Sequence, residues 1–383
     1  MFPFKFKNPT ELIFGSGMIK ELPKRIPQTE RVLLVFGGGS VRSNGVYDDV
    51  TTALSGYDLI EFWGIEPNPK VETIRHAVKL GKESGVTFVL AVGGGSVLDA
   101  AKLIATAIPS EHDAWKLVLK GIDRSIASLP LGTILTIPAT GSEMNRGAVI
   151  SSAKTKEKFS FVGNYPLFSI LDPTYTSTLP PYQIACGIAD TFVHVLEQYL
   201  CFTDESPLMD RWAEGILLTL IEQAEAIHRE PADLNARSTF MLCATMALNG
   251  FISMGVSQDW ATHRIGHELT ALTELTHGHT LAIILPALLR TVGHTEKRAK
   301  LLQYAERIWH IDKGSDEANI DEVIRRTEDF FRSLGLATRL SECGIGEDII
   351  DEVVYRLSER GASISYCHEY SQEIIASILR SAL

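Results

Sequence analysis

Short apolar runs alternate with helical patterns along the first half of the chain. Continuous apolar strands separated by helices are typical of a parallel sheet that is covered on both faces. Predicted strands cover residues 31–36, 59–63, 87–92, 134–137 and 168–171, and predicted helices cover residues 71–84 and 97–107. A polar, strand-like stretch at residues 148–161 predicts a hairpin that holds Lys154, Lys156 and Lys158.

The second half of the chain has a different pattern, because its apolar positions recur three and four residues apart, which predicts helices. The sequence Thr178-Leu179-Pro180-Pro181 lies between the two patterns and predicts a domain boundary. We therefore expect a Rossmann-like α/β domain at residues 1–180 and an all-α domain at residues 181–383. The predicted helices are 184–200, 212–227, 238–254, 260–272, 282–292, 297–309, 320–334, 349–356 and 370–383.

Composition excludes several classes of protein. The net charge of −11 argues against binding to nucleic acid or to an anionic membrane. The first residues contain Lys and Pro and no continuous apolar segment, so we predict no signal peptide. The longest strongly apolar run, near residues 281–289, is far too short to span a membrane. The five cysteines are scattered without CxxC spacing, as expected for thiols in a reducing cytoplasm.

Two glycine-rich turns follow predicted strands. Each contains three glycines and a serine: Gly37, Gly38, Gly39 and Ser40 in the first, and Gly93, Gly94, Gly95 and Ser96 in the second. The second turn leads directly into a helix, whose first amides and dipole favour a pyrophosphate. The alternative interpretation is purely structural, with Ser96 as the N-cap and Asp99 as the acid of a capping box. The spacing matches neither GxGxxG nor a P-loop, so it indicates a phosphate-bearing ligand without identifying it.

A third polar turn, Pro138–Asn145, follows the fourth predicted strand. The hydroxyl residues Thr136, Thr140 and Ser142 could line the same ligand crevice. They could equally well cap the backbone of an ordinary turn.

Four of the eleven histidines lie between Asp259 and His279. His263 and His267 are spaced i, i+4 and share one face of a predicted helix. Gly278 is a plausible stop for that helix, so that His277 and His279 would lie beyond it and fold back. Imidazoles gathered at one point indicate a metal site or an acid–base site.

An upstream pair, Asp190 and His194, has the same spacing on an otherwise apolar helix. A buried aspartate is costly unless it is paired or bound to a metal, so the alternatives are an Asp–His hydrogen bond and a metal site. One carboxylate with imidazoles and no thiolate suits Fe²⁺ or Zn²⁺. Spacing alone does not select among the four downstream histidines. A zinc-protease HExxH motif is absent, because Ala271 stands where its second histidine would be.

Together these motifs resemble the iron-dependent (group III) alcohol dehydrogenase family, and within it the NADPH-dependent butanol dehydrogenase and aldehyde reductase branch. The resemblance covers nearly the whole chain. It implies a dinucleotide-binding domain followed by an all-α metal-binding domain, the dehydroquinate synthase-like architecture, with the active site in the cleft between them. It also implies a homodimer, for which pairing of residues 4–14 across subunits is one arrangement.

The resemblance assigns roles to individual residues. The metal ligands it implies are Asp190, His194, His263 and His277. His267 becomes the candidate for proton transfer, and His279 lies outside the pattern. The second glycine-rich turn corresponds to the pyrophosphate site.

The same resemblance places other residues at the cofactor. Asp99, Thr136 and Ser142 are expected in the cofactor crevice, and Lys158 is expected near the ribose, with Lys156 as the alternative. NAD-preferring relatives commonly carry an acid where Gly38 stands, so its absence favours NADP(H).

The resulting hypothesis is a reversible, metal-dependent oxidoreduction of small primary alcohols and aldehydes, such as butanol and butanal, in the cytoplasm. The alternatives are a glycerol dehydrogenase-like or dehydroquinate synthase-like enzyme on the same scaffold, or a nucleotide- and metal-binding protein without turnover. The mostly neutral helices around the metal motif favour a small, weakly charged substrate over a phosphorylated one.

Overall fold

The computed structural model describes residues 1–120, 127–202, 205–273, 275–359, 364–365, 367 and 369–383. The chain divides into two compact units. The α/β unit comprises residues 7–180 and 232–245, and the helical unit comprises residues 1–6, 181–231 and 246–383. The limit of the α/β unit at residue 180 agrees with the expected division. Residues 1–6, which were expected in the α/β domain, belong to the helical unit, and residues 232–245, which were expected in the all-α domain, belong to the α/β unit.

The α/β unit contains a parallel sheet and a separate antiparallel hairpin. The sheet strands are β1 (Glu11–Phe14), β2 (Arg31–Phe36), β3 (Asp58–Phe62), β4 (Phe88–Gly94), β5 (Leu131–Ile137) and β8 (Phe168–Leu171), and the hairpin strands are β6 (Gly147–Ser152) and β7 (Glu157–Val162). All neighbours in the sheet are parallel, in the order β1-β8-β5-β4-β2-β3. The predicted parallel sheet is confirmed.

Strand β1 was not among the predicted strands. Its residues form a register with β8 of the same chain, from Glu11 opposite Phe168 to Phe14 opposite Leu171. Residues 11–14 therefore lie at the edge of the chain's own sheet.

Alternation along β2 shows why both faces of the sheet are covered. Leu33 and Val35 belong to one apolar cluster, together with residues of the helices on that face, whereas Val32, Leu34 and Phe36 belong to the cluster on the other face. A strand that is apolar at every position is buried on both sides. The helices of this unit are α1 (Ser40–Ser43), α2 (Val46–Ala53), α3 (Val71–Glu83), α4 (Gly95–Ala107), α5 (Ala114–Lys120) and most of α8 (Leu234–Ala247).

The strand order creates a switch point between β2 and β4, because the chain passes from β2 to β3 on one side and then returns to form β4 on the other. Ligands of open parallel sheets bind beyond the carboxyl ends of strands at such a point. Both glycine-rich turns, residues 37–40 and 93–96, fall at these two strand ends.

Helices make up most of the helical unit. They are α6 (Pro181–Tyr199), α7 (Pro207–Arg229), α9 (Ala261–Thr273), α10 (His277–Val292), α11 (Arg298–Trp309), α12 (Asp316–Ser333), α13 (Asp348–Glu359) and α14 (Gln372–Ser381). Helix α10 is buried almost all round and packs against α6, α9, α12 and α14. A helix that is apolar on every side is expected at the centre of such a bundle.

The predicted helix stop at Gly278 is wrong. Helix α9 ends at Thr273, and His277, Gly278 and His279 form the first turn of α10. An added Cβ on Gly278 would lie 2.1 Å from the backbone oxygen of Cys186 on α6. The glycine is therefore explained by the close approach of two helices and not by a turn.

In the described part of the chain, no helix combines the length and the apolar character that crossing a bilayer requires.

Candidate metal centre and cofactor-binding strand ends

Helix α6 brings an acid and a histidine into the apolar interior of the helical unit. Asp190 and His194 are both buried, and Asp190 Oδ1 lies 3.6 Å from His194 Nδ1. Their i, i+4 spacing places them on the same helix face. The sequence-based expectation that these two side chains meet is therefore fulfilled by the fold.

Two further histidines come from α9 and α10. The Nε2 atom of His263 lies 3.6 Å from Asp190 Oδ1, and the Nε2 atom of His277 lies 3.8 Å from the same oxygen. Asp190, His263 and His277 offer ligand atoms that all lie within 4.8 Å of one another. These distances are too long for hydrogen bonds and leave room for an ion among the three groups.

His194, the fourth expected ligand, lies beside this group. Among the described residues, the group with ligand atoms within 4.8 Å of one another consists of Asp190, His263 and His277, and His194 is not part of it. Its ring stacks on that of His263, with centroids 4.5 Å apart. The structure thus brings all four expected ligands together, three of them at ligand spacing.

Several polar atoms at this place lack ordinary partners. Asp190 Oδ1, His194 Nδ1 and His263 Nε2 are buried, and none of the three has a hydrogen-bond partner within the described residues. Buried polar atoms are almost always paired, so three unpaired atoms of metal-binding types beside one another are suited to hold a cation. The donor set of one carboxylate and imidazoles fits Fe²⁺ or Zn²⁺.

The electrostatics of the cluster favour a positive charge. Burial opposes ionisation of Asp190, but the imidazoles of His194, His277 and His263 hold the pKa of its carboxyl well below its usual range. Burial also disfavours a charged His263, but the Glu197 and Asp190 carboxylates raise its pKa to about 9. Burial lowers the pKa of His194 to about 4. A bound divalent ion would supply the positive charge in place of a proton on imidazole.

Glu197 is a site residue that the sequence-based interpretation missed. Its Oε2 atom accepts a short hydrogen bond from His263 Nδ1, and its Oε1 atom accepts one from the backbone N–H of Thr262 at 2.6 Å. A histidine that donates Nδ1–H to a carboxylate presents Nε2 as a ligand, so Glu197 fixes the tautomer and the ring orientation of His263. The available signal was its position on α6, seven residues after Asp190 and two turns along the same face.

His267 and His279 differ in their surroundings. The His267 ring is 4.9 Å from the ring of His277 and 6.2 Å from the ring of His263, and it is partly exposed. His279 is buried, and its Nδ1 atom lies 3.0 Å from the Tyr182 hydroxyl. His267 is therefore next to the ligand group with access to solvent, while His279 is engaged elsewhere.

The second glycine-rich turn is tighter than expected. Strand β4 continues through Gly94, α4 begins at Gly95, and Gly94 occupies the N-cap position. The prediction of a Ser96 N-cap is wrong, because Ser96 lies inside the first turn of α4. No side chain caps this helix within the described residues, so its first amides remain available to an anion. A Cβ on Gly95 would lie 2.5 Å from Thr140 Oγ1, which explains the glycine.

Asp99 does not act as the acid of a capping box either. Its Oδ1 atom accepts a hydrogen bond from the Ser142 hydroxyl at 2.6 Å, and its Oδ2 atom accepts one from the Val149 N–H at 2.8 Å. Lys102 Nζ donates to Ser142 Oγ at 2.8 Å and to the Gly147 carbonyl at 2.5 Å. Burial lowers the pKa of Lys102 to about 8. This network joins α4 to the polar turn after β5 and to the hairpin.

Other residues expected at the cofactor occupy defined positions. Thr136 is buried near the end of β5. Lys158 is buried on β7 and donates to Asn68 Oδ1 at 2.9 Å, whereas Lys156 is exposed between the hairpin strands. Of the two lysines, only Lys158 thus points into the α/β unit.

The first glycine-rich turn carries a neighbour that the sequence-based interpretation missed. Arg42 lies two residues after Ser40, and its guanidinium is 4.4 Å from the ring centres of both Tyr47 and Trp63. Within the described residues Arg42 forms no ion pair with an acid. A Cβ on Gly38 or Gly39 would meet nothing within 4 Å. Gly38 and Gly39 therefore border open space close to the Arg42 guanidinium.

A parallel sheet with glycine-rich strand ends at its switch point and a helical bundle with a buried carboxylate–imidazole cluster are the two parts of a metal-dependent nicotinamide dehydrogenase. The chain belongs to the iron-containing alcohol dehydrogenase family. Its residues 9–173 match the family model for iron-containing alcohol dehydrogenase, and residues 184–383 match the model for the C-terminal part of the Fe-containing alcohol dehydrogenase family. The predicted family, fold class and enzyme class are confirmed.

Relatives over the full length agree with this assignment. The chain is 48% identical to the NADPH-dependent aldehyde reductase YqhD of Escherichia coli over 99% of both chains. It is 36% identical to the NADH-dependent butanol dehydrogenase A of Clostridium acetobutylicum over 100% of both. The crystal structure of E. coli YqhD superposes with a TM-score of 0.97 at 48% identity, covering 100% of this chain and 99% of that one. The Thermotoga maritima butanol dehydrogenase A structure superposes with a TM-score of 0.94 at 35% identity, with the same coverage.

Proposed function

We propose that the protein interconverts small aldehydes and primary alcohols with NADP(H), using a divalent metal held by Asp190, His194, His263 and His277. The observation that carries this proposal is the convergence of Asp190, His263 and His277, whose ligand atoms lie within 4.8 Å of one another, with His194 beside Asp190. Among the described residues, Asp190 Oδ1, His194 Nδ1 and His263 Nε2 are buried there without a hydrogen-bond partner. When bound there, Fe²⁺ or Zn²⁺ supplies Lewis-acid polarisation of the substrate oxygen. Three neutral imidazoles and one carboxylate would leave the ion with a net positive charge, which this chemistry needs.

The protein's own residues would prepare this site before substrate arrives. Glu197 holds His263 with Nε2 directed towards the metal position. Asp190 and His194 are buried among the apolar residues of α6, and this burial strengthens the electrostatic interaction between them. The same apolar surroundings suit a small, weakly charged substrate.

The cofactor would bind at the carboxyl ends of β2 and β4. The uncapped first amides of α4, with Gly93, Gly94, Gly95 and Ser96, are suited to the pyrophosphate. Asp99, Thr136 and Ser142 would border the cofactor crevice, and Lys158 would lie near the ribose. The hydrogen bonds among Asp99, Ser142 and Lys102 would hold that side of the crevice in place.

A preference for NADPH over NADH is supported by the first turn. Gly37, Gly38, Gly39 and Ser40 contain no acid that would repel a 2′-phosphate, and Arg42 offers a guanidinium beside them. Relatives of both kinds exist, since the E. coli relative is named NADPH-dependent and the C. acetobutylicum relative NADH-dependent. The charge beside the turn is what favours NADPH here.

His267 is the proposed proton-transfer residue. It is partly exposed and its ring lies next to that of His277, so it could exchange a proton between the substrate oxygen and solvent. We expect His267→Ala to lower kcat at least tenfold while the bound metal stays at the wild-type level. Metal analysis beside steady-state kinetics measures both. A His267→Ala protein that loses its metal would instead make His267 a ligand.

The proposed function is tested by following NADPH absorbance with butanal, using anaerobically purified, metal-loaded protein. We expect NADPH oxidation that a chelator abolishes and that Fe²⁺ or Zn²⁺ restores. Parallel assays with NADH and a panel of aldehydes and alcohols define cofactor preference and substrate size. Absence of turnover with every pair in metal-loaded protein would favour a protein that binds nucleotide and metal without catalysis.

We also infer a cytoplasmic homodimer. Met1, Phe2 and Phe4 are exposed apolar side chains, and β1 is an edge strand, so both could be covered by a second copy of the chain. Light scattering should then give twice the subunit mass of 42.2 kDa. A Phe2→Ser, Phe4→Ser double variant should shift that mass towards the monomer. A monomeric wild type would contradict the inference.

A further inference from the structure

Two cysteines that are far apart in the sequence meet in the helical unit. Cys201 follows the end of α6, Cys367 lies before α14, and their Sγ atoms are 2.8 Å apart. Cys201 is buried, whereas Cys367 is partly exposed. Two thiols at this distance are closer than an ordinary non-bonded contact, and only a small movement separates them from a disulfide.

The residues around the two cysteines connect them to the metal-binding helices. Cys201 Sγ is 3.8 Å from the backbone oxygen of Glu197, whose carboxylate orients His263. Three residues after Cys367, the Tyr370 hydroxyl donates to Asp259 Oδ2 at 3.0 Å. Asp259 Oδ1 in turn accepts from the Ala261 N–H at the start of α9.

The buried ammonium group of Lys297 binds residues close to the two cysteines. Lys297 Nζ donates to Asp259 Oδ2 at 2.6 Å and to the carbonyl of Leu200, the neighbour of Cys201, at 2.8 Å. The segment with Cys367 and the end of α6 with Cys201 are therefore both fixed to the Lys297–Asp259 pair. This arrangement keeps the two thiols together without a covalent bond.

We propose that Cys201 and Cys367 form an oxidation site, at which a hydroperoxide or a small-molecule disulfide converts the two thiols into an intramolecular disulfide. With hydrogen peroxide, the Cys367 thiolate attacks one peroxide oxygen, which gives a sulfenic acid and releases hydroxide that becomes water. Cys201 sulfur then attacks the sulfenic sulfur, forms the S–S bond and releases a second water. Both thiol protons and two electrons thus pass to the peroxide. With oxidised glutathione, the Cys367 thiolate displaces one glutathione thiol to form a mixed disulfide, and Cys201 sulfur then displaces the second glutathione thiol, so the two electrons and two protons pass to glutathione.

The order of attack follows from exposure. Cys367 is the more exposed of the two, so an oxidant reaches it first. The Cys367 thiol and burial together raise the pKa of Cys201, which makes Cys201 the poorer first nucleophile. Cys201 is suited instead to the second, resolving step, because its sulfur already touches that of Cys367. The proposal does not depend on the enzymatic function proposed above.

Oxidation would tie the C-terminal segment to the helix that carries Asp190 and Glu197. The new bond would close a loop between positions 201 and 367, and cross-links that close long loops stabilise the folded chain. We therefore expect the oxidised protein to melt a few degrees higher than the reduced protein, with dithiothreitol reversing the shift.

The test uses full-length, zinc-loaded protein, because zinc avoids reactions of iron with peroxide. After treatment with hydrogen peroxide or oxidised glutathione, remaining thiols are alkylated in denaturant and the protein is digested without reductant. We expect a cross-linked peptide pair that contains Cys201 and Cys367, lighter than the two thiol peptides by two hydrogens and absent after reduction. The thiol count should fall from the five cysteines of the chain to three, since two are consumed.

Serine variants separate this reaction from general thiol oxidation. Cys201→Ser and Cys367→Ser should each abolish the cross-link and the melting shift. Cys243→Ser, at a buried cysteine of the α/β unit, should leave both intact. The proposal is overturned if the wild type keeps five thiols, if another cysteine supplies the cross-link, or if the Cys201→Ser and Cys367→Ser variants lose thiols in the same pairwise manner as the wild type.

Discussion

At the scale of single residues, the proposed metal centre includes a carboxylate that is not itself one of the expected metal ligands. Glu197 is buried, accepts from His263 and from the Thr262 N–H, and thereby fixes which imidazole nitrogen is presented to a ligand. Partners of this kind change metal affinity through the orientation and basicity of the ligand they hold.

We therefore expect Glu197→Gln to lower metal affinity by roughly 10–100-fold, because the amide keeps the size of the side chain but loses the charge that favours Nδ1–H on His263. Metal retention is measured by elemental analysis after dialysis against graded chelator. Glu214→Gln, at a buried carboxylate on α7 that binds Tyr199 and Arg307, is the matched control. Equal retention by both variants would contradict the role given to Glu197.

Arg42 is the second residue whose role can be measured directly. Loss of a charge-assisted hydrogen bond to a phosphate costs about 1.5–3 kcal/mol. Arg42→Ala should therefore raise the KM for NADPH at least tenfold and leave the KM for NADH nearly unchanged. Arg75→Ala, which removes an exposed arginine paired with Asp113 in the same unit, should alter neither value. If the KM values for NADPH and NADH rise equally, Arg42 stabilises the structure of the turn and does not bind the 2′-phosphate.

At the scale of elements, the site depends on how closely α6 and α10 approach. Gly278 lies beside His277 in the first turn of α10, and its Cα faces the backbone of Cys186, one turn before Asp190 on α6. Only a residue without Cβ allows this approach. The close approach of α10 to α6 beside Asp190 and His277 thus depends on a glycine that is not an expected metal ligand.

Gly278→Ala should therefore displace the start of α10, lower the melting temperature and reduce the bound metal, because the added Cβ would lie 2.1 Å from a backbone oxygen. Gly215→Ala on α7 is the matched control, since a Cβ there meets nothing within 4 Å and alanine is the better helix former. The melting temperature and the metal content are measured for both variants and compared with those of the wild type. A Gly278→Ala protein that binds metal normally would show that α10 can shift without moving His277.

At the scale of the whole molecule, two compact units each contain one part of the chemistry. All four expected metal ligands lie in the helical unit, and all expected cofactor residues lie in the α/β unit. Metal binding should therefore contribute to the stability of the folded protein through the helical unit, because an ion that binds only the folded form stabilises it in proportion to its excess over Kd.

Removing the metal should lower the melting temperature by several degrees, since an ion present at 100 times its Kd contributes about 2.7 kcal/mol. Calorimetry of chelator-treated protein, before and after addition of Fe²⁺ or Zn²⁺, measures the effect. Mg²⁺ should not restore stability, because the imidazole-rich site lacks the oxygen ligands that it prefers. His263→Ala should not respond to any of these ions, and a full response by that variant would place the stabilising ion elsewhere.

Much of the fold was predictable because local patterns determine it. Continuous apolar runs predicted the buried parallel strands, and strand β8 was predicted with its observed limits. The i, i+4 spacing of Asp190 and His194 predicted a shared helix face. Strand β1 was missed. Two further errors lie at helix ends, where Ser96 and Gly278 each have a local interpretation that the structure overrules.

The two errors at helix ends have one physical cause. A glycine or a serine has a strong local preference at a turn or a cap, but packing between distant segments can use the same residue for another purpose. Gly278 is required by Cys186, which precedes it by more than ninety positions, and Asp99 binds Ser142 of a different turn. No local pattern contains these partners.

The sequence by itself determined that strands and helices alternate in the first half of the chain and that helices make up the second half, because periodicity acts within a few residues. It also determined the presence of two glycine-rich turns and the residue types of the candidate metal centre. Tertiary structure alone decided that β2 and β4 are neighbours, that Glu197 holds His263, that Arg42 rests on two aromatic rings, and that Cys201 meets Cys367. These contacts join segments that are brought together only when the apolar faces of separate strands and helices pack, so their partners cannot be read from the positions along the chain.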